Sequence, residues 1–143
     1  MSNPAVPARQ GGRTIVTSDA LHKVKVPLSH AVRVGNLVFV SGTPPYQTGP
    51  GAGYRQLAVG DFAAQFHQSM ANMKLILEAA GSSLDRVCKV VVFLGRRTDF
   101  AQMNELYRGY FSEGDYPART TVEVGHVVPD VLLEIECVAE VVQ

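Results

Sequence analysis

The stretch Val87–Leu94, VCKVVVFL, places the strongest constraint on what this chain can become. It is rich in β-branched residues and apolar at nearly every position, so it reads as the central strand of a sheet. A helical segment lies on each side of it. In the first, Phe62, Phe66, Met70, Met73, Leu77 and Ala80 recur at helical spacing, with Lys74 and Glu78 off the stripe. Asp61 is placed as its N-cap and Gly81 as its left-handed stop. In the second, Asp99 and Gln102 have the spacing of a capping box, and Phe100, Met103, Leu106, Tyr107 and Tyr110 form the apolar stripe.

Strands fill the rest. Residues 14–16 form a short first strand, and 31–34 and 37–41 flank Gly35-Asn36, a tight hairpin signal. Residues 119–124 and 131–142 supply two more. The order β-β-β-α-β-α-β-β predicts an α/β (α+β) two-layer sandwich, a mixed six-stranded sheet with both helices on one face. At 143 residues the chain fits one domain, taken as residues 14–143. Residues 1–13, of Pro, Gly and Ser character and without an apolar signal region, are expected to be a flexible arm. Residues 42–60, rich in Gly and Pro, read as a long loop that is a candidate for function.

Thirteen basic residues balance thirteen acidic ones, so the basic excess expected of a nucleic-acid binder is missing. No apolar run is long enough to span a bilayer. Cys88 and Cys137, both within apolar runs and without metal-ligand spacing, read as buried free thiols. The expectation is a cytoplasmic protein with no nucleic-acid or membrane partner.

Alternation divides the last two strands into faces. Leu133, Ile135, Cys137 and Ala139 belong under the helices, leaving Glu134, Glu136 and Glu140 on the opposite face. In the preceding strand, Thr120, Val122 and Val124 face one way and Arg119, Thr121 and Glu123 the other. If the two strands pair through residues 125–130, Arg119 and Thr121 share the open face with Glu134 and Glu136. Such a face suits solvent or another subunit equally well.

Arg119 follows Pro117-Ala118, which stiffens its base, and a guanidinium offers two parallel donors to a carboxylate or phosphate. On the residues alone, a cross-strand ion pair with Glu134 or Glu136 is the favoured reading. Glu134 has the chemistry to order or deprotonate water, but a solvated strand face explains it as well. Ser41-Gly42 ends a strand where backbone N–H groups can form either a cradle or a plain turn. The four histidines lack metal-ligand spacing, and no phosphate loop, dinucleotide fingerprint or GxSxG elbow is present, so neither metal nor cofactor is expected.

Six segments in order resemble the RidA (YjgF) family of small imine and enamine deaminases. They are AVRVGNLVFVSG (31–42), NMKLILEAAGSSLDRV (72–87), VVVFL (90–94), DFAQMNELYRGYF (99–111), PARTTVEV (117–124) and LLEIECVAEV (132–141). The resemblance implies a chorismate-mutase-like fold, a homotrimer whose sheets form a central barrel, and sites in the clefts between subunits. It implies that Arg119 binds a substrate carboxylate, that Glu134 sits near the catalytic water, and that Ser41, Gly42, Asn104 and Thr121 line the pocket. Leu28 stands where members acting on 2-aminoacrylate usually have tyrosine, Thr121 where they often have cysteine, and Pro44 removes a backbone donor at the pocket edge. The SGT and RTT spellings resemble branches acting on aminomuconate-type compounds. The implied activity is cofactor-free hydrolytic deamination of a small carboxylate-bearing imine or enamine. The alternative is a non-catalytic binder or sensor of small keto acids. The neutral charge and the lack of a basic or aromatic stripe argue against the RNA-directed activity sometimes ascribed to the family.

Overall fold

The computed structural model describes residues 12–21, 23–58 and 60–142. Its elements follow the expected order: β1 (Arg13–Val16), β2 (Ala31–Val34), β3 (Leu37–Thr43), α1 (Phe62–Ala79), β4 (Val87–Leu94), α2 (Phe100–Arg108), β5 (Ala118–Glu123) and β6 (Leu133–Glu140). Short 3-10 turns, Leu84–Arg86 and Arg97–Asp99, precede β4 and α2. β1 begins one residue earlier than expected, while the remainder of the proposed arm, residues 1–11, lies outside the described residues.

The helix signals are only partly realised. Asp61 caps α1, its carboxylate accepting from the Ala64 N–H at 3.2 Å. All six stripe positions of α1 are buried. Each fully buried Phe, Met or Leu there contributes about 1.5–3 kcal/mol over its exposed state. At α2 the capping box does not form. Asp99 is already helical and its carboxylate pairs with Arg96 at 2.8 and 3.1 Å, because the 3-10 turn brings that guanidinium alongside it. Of the α2 stripe, Met103 and Tyr107 are buried, Leu106 and Tyr110 partly so, and Phe100 is exposed.

One mixed sheet has the order β1-β2-β3-β6-β4-β5. Every pairing is antiparallel except β4 with β5. β5 and β6 are therefore not neighbours. β6 runs between β3 and β4, and β5 forms the far edge. The β4–α2–β5 connection explains this: a crossover through a helix returns the chain parallel to the strand it left.

α1 packs across β3 and β6, and α2 packs beside α1. Val38, Val40, Val90, Val92, Leu94, Leu133, Ile135, Cys137 and Ala139 fill the space beneath them. Cys137 is buried as expected, but Cys88 is exposed, since a bulge between Val87 and Lys89 turns it out of the alternation.

The face assignment of β5 is reversed from the sequence reading. Arg119 and Thr121 lie in register with Val90 and Val92 of β4, which are core residues, so both point to the helix layer. Val122 lies beside Phe93, which pairs with Glu134, so Val122 and Glu134 share the open face. Alternation had correctly grouped the residues of β5 but not which group the helices cover. The expected assignment assumed that β5 and β6 pair through residues 125–130, and that pairing does not form; the open face is itself partly apolar, with Ile15, Val34, Phe39 and Val122 all exposed.

Candidate active site

The seven residues singled out from the sequence fall into two groups. Leu28, Ser41, Gly42 and Glu134 meet in a cavity of about 280 Å³ at the ends of β3 and β6. Arg119, Thr121 and Asn104 lie at the edge formed by β5 and α2. Two strands of lateral spacing and a three-residue offset in register separate the Arg119 and Glu134 backbones by about 14 Å, on opposite faces. The ion pair favoured on the residues alone is thus absent.

The cavity is built from loops held by buried side chains. Gln65 of α1 donates to the Asp130 carbonyl at 3.0 Å and accepts from the Leu132 N–H at 2.8 Å, pinning the segment before β6. Asn72 of the same helix donates to the carbonyls of Tyr46 (2.7 Å) and Pro44 (3.3 Å), pinning the long loop. Ser41 donates its hydroxyl to the Ser29 carbonyl at 2.5 Å and its N–H to the His30 carbonyl at 2.9 Å, so it ties down the segment bearing Leu28.

Glu134 lies directly over Gly42. A β-carbon at that position would come within 2.3 Å of Glu134 Oε1, so the close approach requires glycine. A bulge in β3 at this point opens the strand beside the carboxylate. Burial, reinforced by the neighbouring charge of Glu136, raises the Glu134 pKa above the ordinary 4.5. His126 Nδ1 stands 3.9 Å from Glu134 Oε2. Tyr46 lines the same cavity, its hydroxyl buried without a hydrogen-bond partner among the described residues and its pKa raised by burial. Lys23 and Arg55 add positive charge to the wall.

The other group is built on regular elements. The Arg119 guanidinium lies 4.8 Å from the centre of the Tyr107 ring and 6.0 Å from that of Phe100, and its Nη1 is 3.8 Å from Met103 Sδ. Phe100, Met103, Asn104 and Tyr107 share one side of α2 by helical spacing. Among the described residues no carboxylate pairs with Arg119. The Thr121 and Tyr107 hydroxyls are both buried and have no hydrogen-bond partner among the described residues. Burial pushes the Tyr107 phenol up to about 12, keeping it a neutral donor despite the opposing pull of Arg119.

Sequence reasoning missed Tyr46, Tyr107 and His126 as polar groups of these sites, and Gln65 and Asn72 as clamps. The clamps did leave a signal: Gln65, Ser69 and Asn72 recur at helical spacing beside the apolar stripe, and all three are buried. His126 sits in an irregular segment and left none. Among the described residues, no His, Cys, Asp and Glu cluster suits a metal ion, and no helix is long and apolar enough to cross a membrane.

The family model described as Endoribonuclease L-PSP matches residues 17–141, and the chain belongs to that family. The resemblance to the RidA (YjgF) family is borne out by relatives. A RutC family protein of Pyrococcus horikoshii is 45% identical over 113 residues, 79% of this chain and 86% of that protein. The 2-iminobutanoate/2-iminopropanoate deaminase of Escherichia coli is 36% identical over 129 residues, 89% of this chain and 96% of that enzyme. The crystal structure of RidA from the Antarctic bacterium Psychrobacter sp. superposes with a TM-score of 0.79 at 35% identity, covering 90% of this chain and 99% of that one.

Proposed function

We propose that this protein hydrolyses a small carboxylate-bearing imine or enamine, in clefts where the Arg119 side of one copy faces the Glu134 side of the next. The observation that carries the reading is the state of Arg119: a half-buried guanidinium with no carboxylate partner among the described residues, on the same side of the sheet as two buried hydroxyls that find no partner there either. That is a site prepared for an anion with several oxygens. A single chain holds Arg119 too far from Glu134 for one small acid to touch both, which favours an oligomer with shared sites. The exposed apolar residues of the open sheet face support a homotrimer closed around that face. The name of the Escherichia coli relative supports the imine chemistry.

In this mechanism Arg119, Thr121 and Asn104 hold the substrate carboxylate and present the C=N carbon to a water beside Glu134 and Gly42. An enamine first moves a proton from nitrogen to carbon, becoming the imine. Glu134 takes a proton from the attacking water as the C–O bond forms and delivers it to nitrogen, giving the carbinolamine. It then takes the hydroxyl proton and returns it to nitrogen as the C–N bond breaks, releasing ammonia and a carbonyl acid. No metal or cofactor enters the scheme. For the substrate itself, Lys23 and Arg55 on the cavity wall support an aminomuconate-type acid with a second carboxylate over 2-aminoacrylate.

Two inactive variants test both parts at once. Arg119→Ala and Glu134→Gln should each be unable to release ammonia from freshly generated imino acids. Co-expressed in equal amounts as a cyclic trimer with shared sites, they should regain about a quarter of wild-type turnover. No recovery in assembled mixed oligomers would refute the shared cleft. Wild-type-like turnover by Arg119→Ala alone would refute the carboxylate grip.

A further inference from the structure

We propose that the cavity beside Glu134 is a subsite for the substrate's side chain, and that it takes a large apolar substituent rather than the bare methylene of 2-aminoacrylate. The inference rests on the deaminase reading for which atom meets Glu134, and on the cavity's own walls for what fills it. With the carboxylate at Arg119 and the C=N carbon at Glu134 and Gly42, only the side chain is left to place. The cavity opens beside those last two residues, at the ends of β3 and β6. Its volume of about 280 Å³ approaches the roughly 300 Å³ at which pockets enclose drug-sized ligands. A methylene would leave nearly all of it unfilled.

The walls are mostly apolar, and graded from inside to outside. Ile76 of α1 and Val131 before β6 are buried, and Leu21 packs against the same core. Val26, Leu28 and Val127 line the cavity and are exposed, Val127 at 99%. Hydrophobic side chains held in solvent around one opening gain cover when an apolar group enters it. Full burial of one methylene strengthens such binding about four-fold.

Several polar side chains of the wall are already engaged within the protein. Ser41 donates its hydroxyl to the Ser29 carbonyl, and Thr43 donates to the Ser41 carbonyl at 2.9 Å. Asn72 donates to two loop carbonyls and accepts from Gln68 at 2.9 Å. The Tyr46 hydroxyl is itself buried. A polar substituent entering here would give up water for few replacement hydrogen bonds, whereas an apolar one gives up nothing of the kind. Lys23 and Arg55 are exposed, so they stand at the mouth, with the Arg55 guanidinium 5.7 Å from the centre of the Tyr46 ring. A second carboxylate therefore meets them only beyond an apolar stretch of the substrate.

The test is equilibrium binding of 2-oxo acids, the stable carbonyl products of the proposed reaction, to the intact protein. In calorimetry, affinity should rise about three- to four-fold per methylene from pyruvate through 2-oxobutanoate and 2-oxopentanoate to 2-oxohexanoate. Methyl NMR locates the chain: the Ile76, Val131 and Leu28 signals should shift with 2-oxohexanoate and hardly move with pyruvate. An affinity that is flat or falls with chain length overturns the proposal, as does the absence of binding by every member. So does a gradient that leaves those methyl signals unmoved. Binding of 2-oxoadipate, with no gradient among the monocarboxylates, would show that the cavity reads charge and would overturn it as well. The kcat/KM values of the corresponding imines should follow the same order as the affinities. If the protein hydrolyses none of them, the deaminase reading fails, while the binding series still decides the subsite.

Discussion

The two halves of the candidate site are built in different ways. Arg119 and Thr121 stand on a strand, braced by rings and a thioether from one side of α2, so regular backbone alone sets their geometry. Glu134 stands on a strand too, but nearly everything around it comes from loops that Gln65, Asn72 and Ser41 tie to α1 and β3. The arginine side is rigid by construction and generic, suited to a carboxylate that any small acid carries. The glutamate side has walls of loop, and in the proposed reaction Leu28, Tyr46, Lys23 and Arg55, which line it, are the groups that would discriminate between acids.

The sharpest break in this comparison is Arg119→Ala. It should lose about a thousand-fold or more in kcat/KM with little change in melting temperature, as truncating one partner of a charge-assisted contact does. Arg119→Lys should recover only part, because an ammonium cannot offer the parallel pair of donors. Steady-state ammonia release checks both. Gly42→Ala comes next. Its methyl would displace the Glu134 carboxylate, the flexible end of a side chain, so the fold should survive while kcat falls about 100-fold. A thermal melt beside the kinetics separates these effects.

Gln65→Leu strikes the loop clamps alone. Leaving the Asp130 carbonyl and Leu132 N–H without partners should cost about 2–3 kcal/mol in urea unfolding. Hydrogen exchange should quicken around residues 126–132 and stay unchanged in β5. Equal loosening of both halves would erase the distinction drawn between them. Thr121→Val is the smallest change. Removing a buried unpartnered hydroxyl should stabilise the free protein by up to about 1 kcal/mol. Calorimetry should at the same time show weaker binding of a simple keto acid; stabilisation without any loss of binding would remove Thr121 from the site.

Much of this molecule can be read from local patterns. The Phe62-to-Ala80 stripe, the Asp61 cap, the Gly35-Asn36 hairpin and the apolar β4 run all form as their spacing predicts. The capping box at Asp99 fails because a 3-10 turn offers that carboxylate a guanidinium instead. Cys88 escapes the core because a bulge breaks the alternation that would bury it. At the site, the sequence and its resemblance marked Arg119, Glu134 and their neighbours, while His126 and Tyr46 passed unnoticed in irregular segments without periodicity.

What the sequence determined by itself is the order of elements and which residues of each strand share a face, since both follow from periods of two and 3.6 residues along the chain. What only the tertiary structure decided is which face the helices cover and which strands are neighbours. Those depend on pairings between distant segments: β5 set parallel beside β4 by its helical crossover, and β6 drawn between β3 and β4. That pairing puts Arg119 and Glu134 on opposite faces of one sheet and removes the cross-strand ion pair that alternation alone suggested.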